Sequence, residues 1–171
     1  MPPEFSRPTR LPNEVRHLTL TANPAECAAL AERFAILRIA RFSAALTLVP
    51  ESGGSVRVQG HLSAKVTQEC VASLEPMEQR VAAPIALRLL AEGDTPTDDD
   101  PDSPDEIETN NGMVDLGEAC AEQLALALDP YPRRPDAQLP PELLPPAEES
   151  VAEAPKGRPN PFATLAQLKR G

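Results

Sequence analysis

The order of apolar and polar residues along this chain changes period several times, and each change marks a new element. "EVRHLTL" sets Val15, His17 and Thr19 against Arg16, Leu18 and Leu20, the two-residue alternation of a strand with matching β-branched content. "NPAECAALAERFA" switches to a helical period, with Cys27, Leu30, Ala31 and Phe34 on one stripe. Asn23 is the natural N-cap of that helix, Pro24 its first residue, and Glu26 the third position of a capping box. Strand texture returns from Ile36 to Val49, and "PESGGS" is a turn with Gly53 and Gly54 supplying positive φ. "VRVQGHLSAKVTQECV" is a long strand carrying Val56, Val58, His61 or Leu62, Ala64 and Val66 in turn. Gly60 interrupts its alternation and predicts a bulge or bend. "QRVAAPIALRLL" predicts a further strand, which Pro84 places at an edge because it offers no ladder donor.

"AEGDTPTDDDPDSPDEIE" then breaks the pattern, with nine acidic residues from Glu92 to Glu108 and no Lys or Arg. A segment this charged buries too little surface to offset its ordering entropy, so 92–106 reads as a disordered acidic loop. Within it "DTPTDDDPDSPD" lacks the glycine and terminal glutamate of an EF-hand loop, and its prolines stiffen the wrong places for calcium. Asn110-Asn111-Gly112 is a turn and Met113-Val114 a brief strand. Asp115 caps a helix whose stripe is Leu116, Cys120, Leu124 and Leu128, and Glu118 at the third position predicts a second capping box. Pro130 ends it. The sum is an α+β fold: a mostly antiparallel β-sheet, as a sandwich or partly closed barrel, with two covering helices.

Proline usage draws the boundaries. The chain has 21 prolines, few of them between Val15 and Leu90. Prolines deny donors to helix interiors and central strands, so they concentrate outside the packed part. This predicts a flexible N-terminus over 1–13, one domain over 14–131, a Pro/Glu-rich linker over 132–158 and a short terminal motif over 159–171. In that motif Asn160 and Pro161 open a two-turn helix with Phe162, Leu165 and Leu168 or Lys169 on one face. So short a helix gains its stability from the surface it meets, either its own domain or a partner. Aromatics are 3% of residues and Trp is absent, so the core is aliphatic with Phe34 and Phe42 as its bulky members.

A formal net charge of −10 makes the chain a poor general binder of nucleic acid unless its cations cluster, and suits it to basic proteins. Cys27, Cys70 and Cys120 lie far apart with no Cys/His pair at metal-ligand spacing, so they read as reduced, buried thiols and neither a metal nor another cofactor is expected. The N-terminus has no apolar signal-peptide core and no apolar run is of membrane-spanning length; a soluble, cytoplasmic protein with no membrane partner is expected. No nucleophile, zinc-protease or phosphate-loop motif occurs. Asp115 and Glu118 look like a carboxylate pair but have the spacing a cap requires, and His17 and His61 sit in strand patterns. No catalytic residue is assigned and no enzyme is expected.

Three pieces together resemble the YceD family of bacterial proteins: "VTQECVASLEPMEQRV", "IETNNGMVDLGEACAEQLALALDPYPRRP" and the terminal "NPFATLAQLK". The resemblance covers about residues 15–171, and near Pro130 and Arg133 it is to alphaproteobacterial members. Within it Cys70, Asp115, Leu116 and Glu118 are motif residues with structural roles. Many members of the family have a Cys-x-x-Cys before the Leu-x-Pro and some a third Cys after the last helix. Here Cys70 matches the first, Ser73 stands at the second, and Arg133-Arg134 fall near the third, so a thiolate metal site is not expected. The resemblance implies a non-enzymatic factor in accumulation or processing of the large-subunit (23S) ribosomal RNA. Its expected partners are that RNA or its precursors, directly or indirectly, and a ribosomal protein or assembly factor, with no DNA. In the RNA-contact form Arg133 and Arg134, with Arg158, Lys169 and Arg170, touch phosphates. In the alternative form the protein is an acidic adaptor for a basic ribosomal protein, and Phe162, Leu165, Leu168 and Lys169 dock on the partner.

Overall fold

The alternating segments assemble into an open five-stranded sheet in a computed structural model that describes residues 5–96 and 103–137 of the 171. Its strands are β2 (Arg16–Thr21), β3 (Arg38–Pro50), β4 (Val56–Glu69), β5 (Pro76–Leu89) and β6 (Asp105–Ile107), in that spatial order. Neighbours are antiparallel except β5 and β6, which run parallel through Leu87–Leu89. A separate ribbon pairs β1 (Pro8–Arg10) with β7 (Met113–Asp115). Two helices, α1 (Pro24–Arg33) and α2 (Leu116–Ala127), complete the described part. The α+β class, the antiparallel bias and the two covering helices are as the sequence predicts. The sheet stays open, with β2 and β6 at its edges, and does not close into a barrel.

One face of the sheet is packed. Leu46 and Leu48 of β3, Val58, Leu62 and Val66 of β4, and Ile85 and Leu87 of β5 are buried with Leu30 of α1 and Leu116, Cys120 and Leu124 of α2 in a single core. α1 lies against β3, and α2 against β5 and β4. The α1 cap is as expected: the Asn23 side chain accepts from Glu26 N–H at 2.9 Å, and Glu26 accepts from Asn23 N–H at 2.8 Å. Pro84 is opposite His61 on β4, and β6 flanks β5 only at Leu87–Leu89, so around Pro84 the strand is an edge among the described residues.

Four expectations are corrected. Gly60 makes no bulge: it pairs in register with Leu46 and Ile85, and the irregularity in the sheet lies between Ile39 and Arg41. Its role is close approach, since a Cβ there would sit 2.0 Å from the Ala45 carbonyl oxygen. The N-terminus predicted flexible over 1–13 is built in from Phe5, which is 1% exposed, packs its ring centre 5.1 Å from that of Phe42 and leads into β1. Asp105 and Glu106, assigned to the disordered loop, form β6, where Glu106 pairs with Arg88 at 3.5 Å. The second capping box is half made. Asp115 accepts from Glu118 N–H at 3.1 Å, but the Glu118 carboxylate instead grips Arg33 of α1 at 2.7 and 3.0 Å.

Candidate functional site

Two corners and one open face hold the chemistry of the described residues. The first corner is the turn after β4, where Cys70 opens the loop to β5. Cys70 N–H donates to Glu75 O at 2.9 Å, and Leu74, with φ 58°, returns a donor to Cys70 O at 2.8 Å. The segment after α2 closes over this turn: Val71 N–H donates to Pro132 O at 2.9 Å, and Arg134 N–H donates to Cys70 Sγ at 3.4 Å. That backbone donor, helped by the Ser73 hydroxyl, lowers the buried Cys70 thiol to about 7. Beneath it Gln68, 6% exposed, donates from Nε2 to Asp129 O at 3.0 Å and ties the end of α2 to β4. The positions 70, 73 and 134 therefore do converge. The Arg134 amide on the Cys70 sulfur ties down two loops, a hydrogen-bonded joint built on a single sulfur with the Ser73 side chain beside it. No group of three or more His, Cys, Asp or Glu side chains is placed to hold a metal among the described residues. Cys27 and Cys120 are buried elsewhere and free, and burial pushes Cys120 up to about 12.

The second corner is the start of α2. Asp115 Oδ1 accepts from Arg7 N–H at 2.7 Å and from Glu118 N–H, while Oδ2 accepts a short bond from the Ser6 hydroxyl. Burial opposes ionisation here, but the bonds from Ser6, Arg7 and Glu118 outweigh it and hold the carboxyl below the usual range. Leu116 is fully buried beneath this turn. Asp115 thus fastens the N-terminal arm to the helix, and Arg7 extends the fastening with a bidentate pair to Glu26 at 2.7 and 2.9 Å. The pair Asp115–Glu118 serves as cap and tie.

The third feature is the sheet face away from the helices. Successive rungs across β2, β3, β4 and β5 carry Thr21–Ser43–Ser63–Ala82, Thr19–Ala45–His61–Pro84 and His17–Thr47–Gln59–Ala86. Five of these twelve residues carry hydroxyls, the others being alanines, Pro84, Gln59 and two histidines: Ser43 and Ser63 hydrogen-bond at 3.2 Å, and His17 Nδ1 meets Thr47 Oγ1 at 3.0 Å. One rung differs. Arg41, Lys65 and Arg80 stand directly opposite one another on β3, β4 and β5, all exposed. At the other end Arg57 and Arg88 occupy one rung but are paired with Glu51 and Glu106.

Of the residues picked from sequence as RNA contacts, Arg134 is engaged: its guanidinium pairs with Glu75 and, at 2.9 Å, with Asp136. Arg133 is exposed beside it. Phe162, Leu165, Leu168 and Lys169, with Arg158 and Arg170, lie outside the described residues. The cationic rung was missed, because its members become neighbours only through strand register.

Fold and surface together define a small α+β domain with one helix-covered and one open, partly cationic sheet face. A model of the family described as Large ribosomal RNA subunit accumulation protein YceD matches residues 58–169, and the chain belongs to that family. The match opens within β4, includes the Cys70 turn and α2, and extends over the terminal motif. No curated protein and no solved structure matches the chain.

Proposed function

We propose that this protein is a non-enzymatic cytoplasmic factor that supports accumulation or processing of the 23S ribosomal RNA of the large subunit. It works by holding ribosomal RNA or a ribosomal protein rather than by chemical transformation. The family match over residues 58–169 carries this reading. The geometry is consistent with it. Asp115 and Glu118, the carboxylates nearest to a catalytic pair, are committed to a cap and to Arg33, and His17 is committed to Thr47. Depleting the protein should lower mature 23S RNA relative to 16S RNA, with precursor fragments accumulating, as read on a northern blot. An unchanged ratio would remove the protein from this process. Purified protein should leave a large-subunit RNA transcript intact; cleavage that disappears in Asp115→Asn would make it a nuclease.

A second reading has its own support. Val71, Leu74 and Tyr131 are exposed to 44%, 68% and 75%, on two loops that the Val71–Pro132 bond holds together. Such an apolar knuckle on a strongly acidic chain suits an adaptor that shields a basic ribosomal protein. Affinity purification with ribonuclease treatment separates the two. Ribosomal proteins retained after treatment, and lost in Leu74→Ser/Tyr131→Ser, would favour the adaptor.

A further inference from the structure

The cationic rung has an energetic oddity. Like charges directly opposite across strands destabilise a sheet, by a few tenths of a kcal/mol up to about 1 kcal/mol per pair. Arg41, Lys65 and Arg80 make two such pairs in a row, in a chain whose net charge is −10. Lys65 is relieved by Glu78 at 2.9 Å. Arg41 and Arg80 have no ion pair among the described residues, and Arg38 stands near enough to Glu78 to help lower its pKa behind the larger effect of Lys65. Four cations thus share one carboxylate at this end of the face. Arg41, Lys65 and Arg80 border a shallow depression of about 560 Å³ floored by Ser43, Ser63 and Ala82. No described helix or strand covers it.

We propose that this face binds the phosphate backbone of double-helical RNA, with Arg41, Lys65 and Arg80 on the phosphates and the hydroxyl floor beside them on the ribose edge. The inference rests on the ribosomal-RNA reading above and names the surface that reading needs. Charge complementarity selects the occupant: a row of cations across three strands, about 10 Å from first to last at ordinary strand spacing, matches a line of phosphates. The floor selects the form of RNA. Single-stranded binders stack bases mainly on large aromatic side chains, and the described residues of this face include no Phe, Tyr or Trp and only the imidazoles of His17 and His61. Among the described aromatics, Phe5 and Phe42 are buried in the core. Double-helical RNA is instead held through phosphates and 2′-hydroxyls across its shallow groove, which the hydroxyls of Thr19, Thr21, Ser43 and Ser63 suit.

The test uses the full chain with a perfectly paired RNA duplex as probe, titrated with salt, beside Arg41→Gln/Lys65→Gln/Arg80→Gln. All three side chains are exposed, and their removal relieves repulsion, so the variant should unfold at the same or a slightly higher denaturant concentration. Wild type should bind with log affinity falling steeply against log salt, and the variant should flatten that slope by about 2–3. Glu78→Gln, which frees Lys65, should tighten binding. The proposal is overturned if the triple variant keeps wild-type affinity and slope, or if the loss appears instead in Arg133→Gln. It is also overturned if single-stranded polyuridylate outcompetes the duplex. Failure here with a depletion phenotype intact would discard the surface and leave the process; duplex binding with a normal 23S ratio would do the reverse.

Discussion

A Cβ at Gly60 would sit 2.0 Å from the Ala45 carbonyl oxygen, far inside any non-bonded carbon–oxygen contact. The position is in the middle of β4, paired on both sides, so relief requires moving a central strand. Gly60→Ala should therefore lose about 2–3 kcal/mol of stability, in the manner of an overpacked core, as read from urea midpoints. A loss under ~0.5 kcal/mol would mean that β3 yields locally. Cys70 makes a prediction about pH. Its thiol is held at about 7 against an ordinary 9.0, so the folded state favours the thiolate. That preference contributes nothing below the folded value, grows between about pH 7 and 9, and is complete above the unfolded value. The stability advantage of wild type over Cys70→Ser should accordingly widen from pH 7 to pH 9. Cys27 and Cys120, raised by burial, are common to both proteins and cancel. A constant difference across that range would contradict the bond from Arg134.

At the level of elements, the N-terminal arm behaves as part of the core. Phe5 packs its ring at a tilt against Phe42, the Arg7 guanidinium lies 4.6 Å from the centre of the Phe5 ring, and the Phe5 carbonyl lies where a Cβ of Gly117 would collide at 2.2 Å. Phe5→Ala should cost about 3–5 kcal/mol in a thermal or urea melt. A mild effect would return the arm to the flexible status its prolines imply. Both helices and the long hairpin β3–β4 are legible in the sequence because their signals are local: Asn23 and Asp115 as caps, alternation from Phe42 to Leu48, glycines at the turn. The arm is not legible, because what orders it is pairing of Pro8–Arg10 with Met113–Asp115, more than a hundred residues away. Pro8 suits that place as the first residue of a short edge strand. β6 hides for another reason, since Asp105 and Glu106 disguise a strand whose cross-strand partner for Glu106 is Arg88. Likewise the Cys70–Ser73–Arg134 convergence follows from motif positions, whereas the Arg41–Lys65–Arg80 rung needs the register of three strands.

At the scale of the molecule, an acidic chain of net charge −10 carries a local row of cations. The cationic rung faces away from the helices, on a chain with 26 acidic and 16 basic residues. The rung draws phosphates to the open sheet face, while the excess negative charge of the chain opposes non-specific approach of RNA. The account's central claim is that the protein sustains large-subunit RNA through this face. The measurement that tests it most directly is complementation in cells depleted of the protein, comparing wild type with Arg41→Gln/Lys65→Gln/Arg80→Gln at matched, folded levels. Wild type should restore the ratio of 23S to 16S RNA, and the triple variant should leave it depressed. Full restoration by the triple variant would contradict the account.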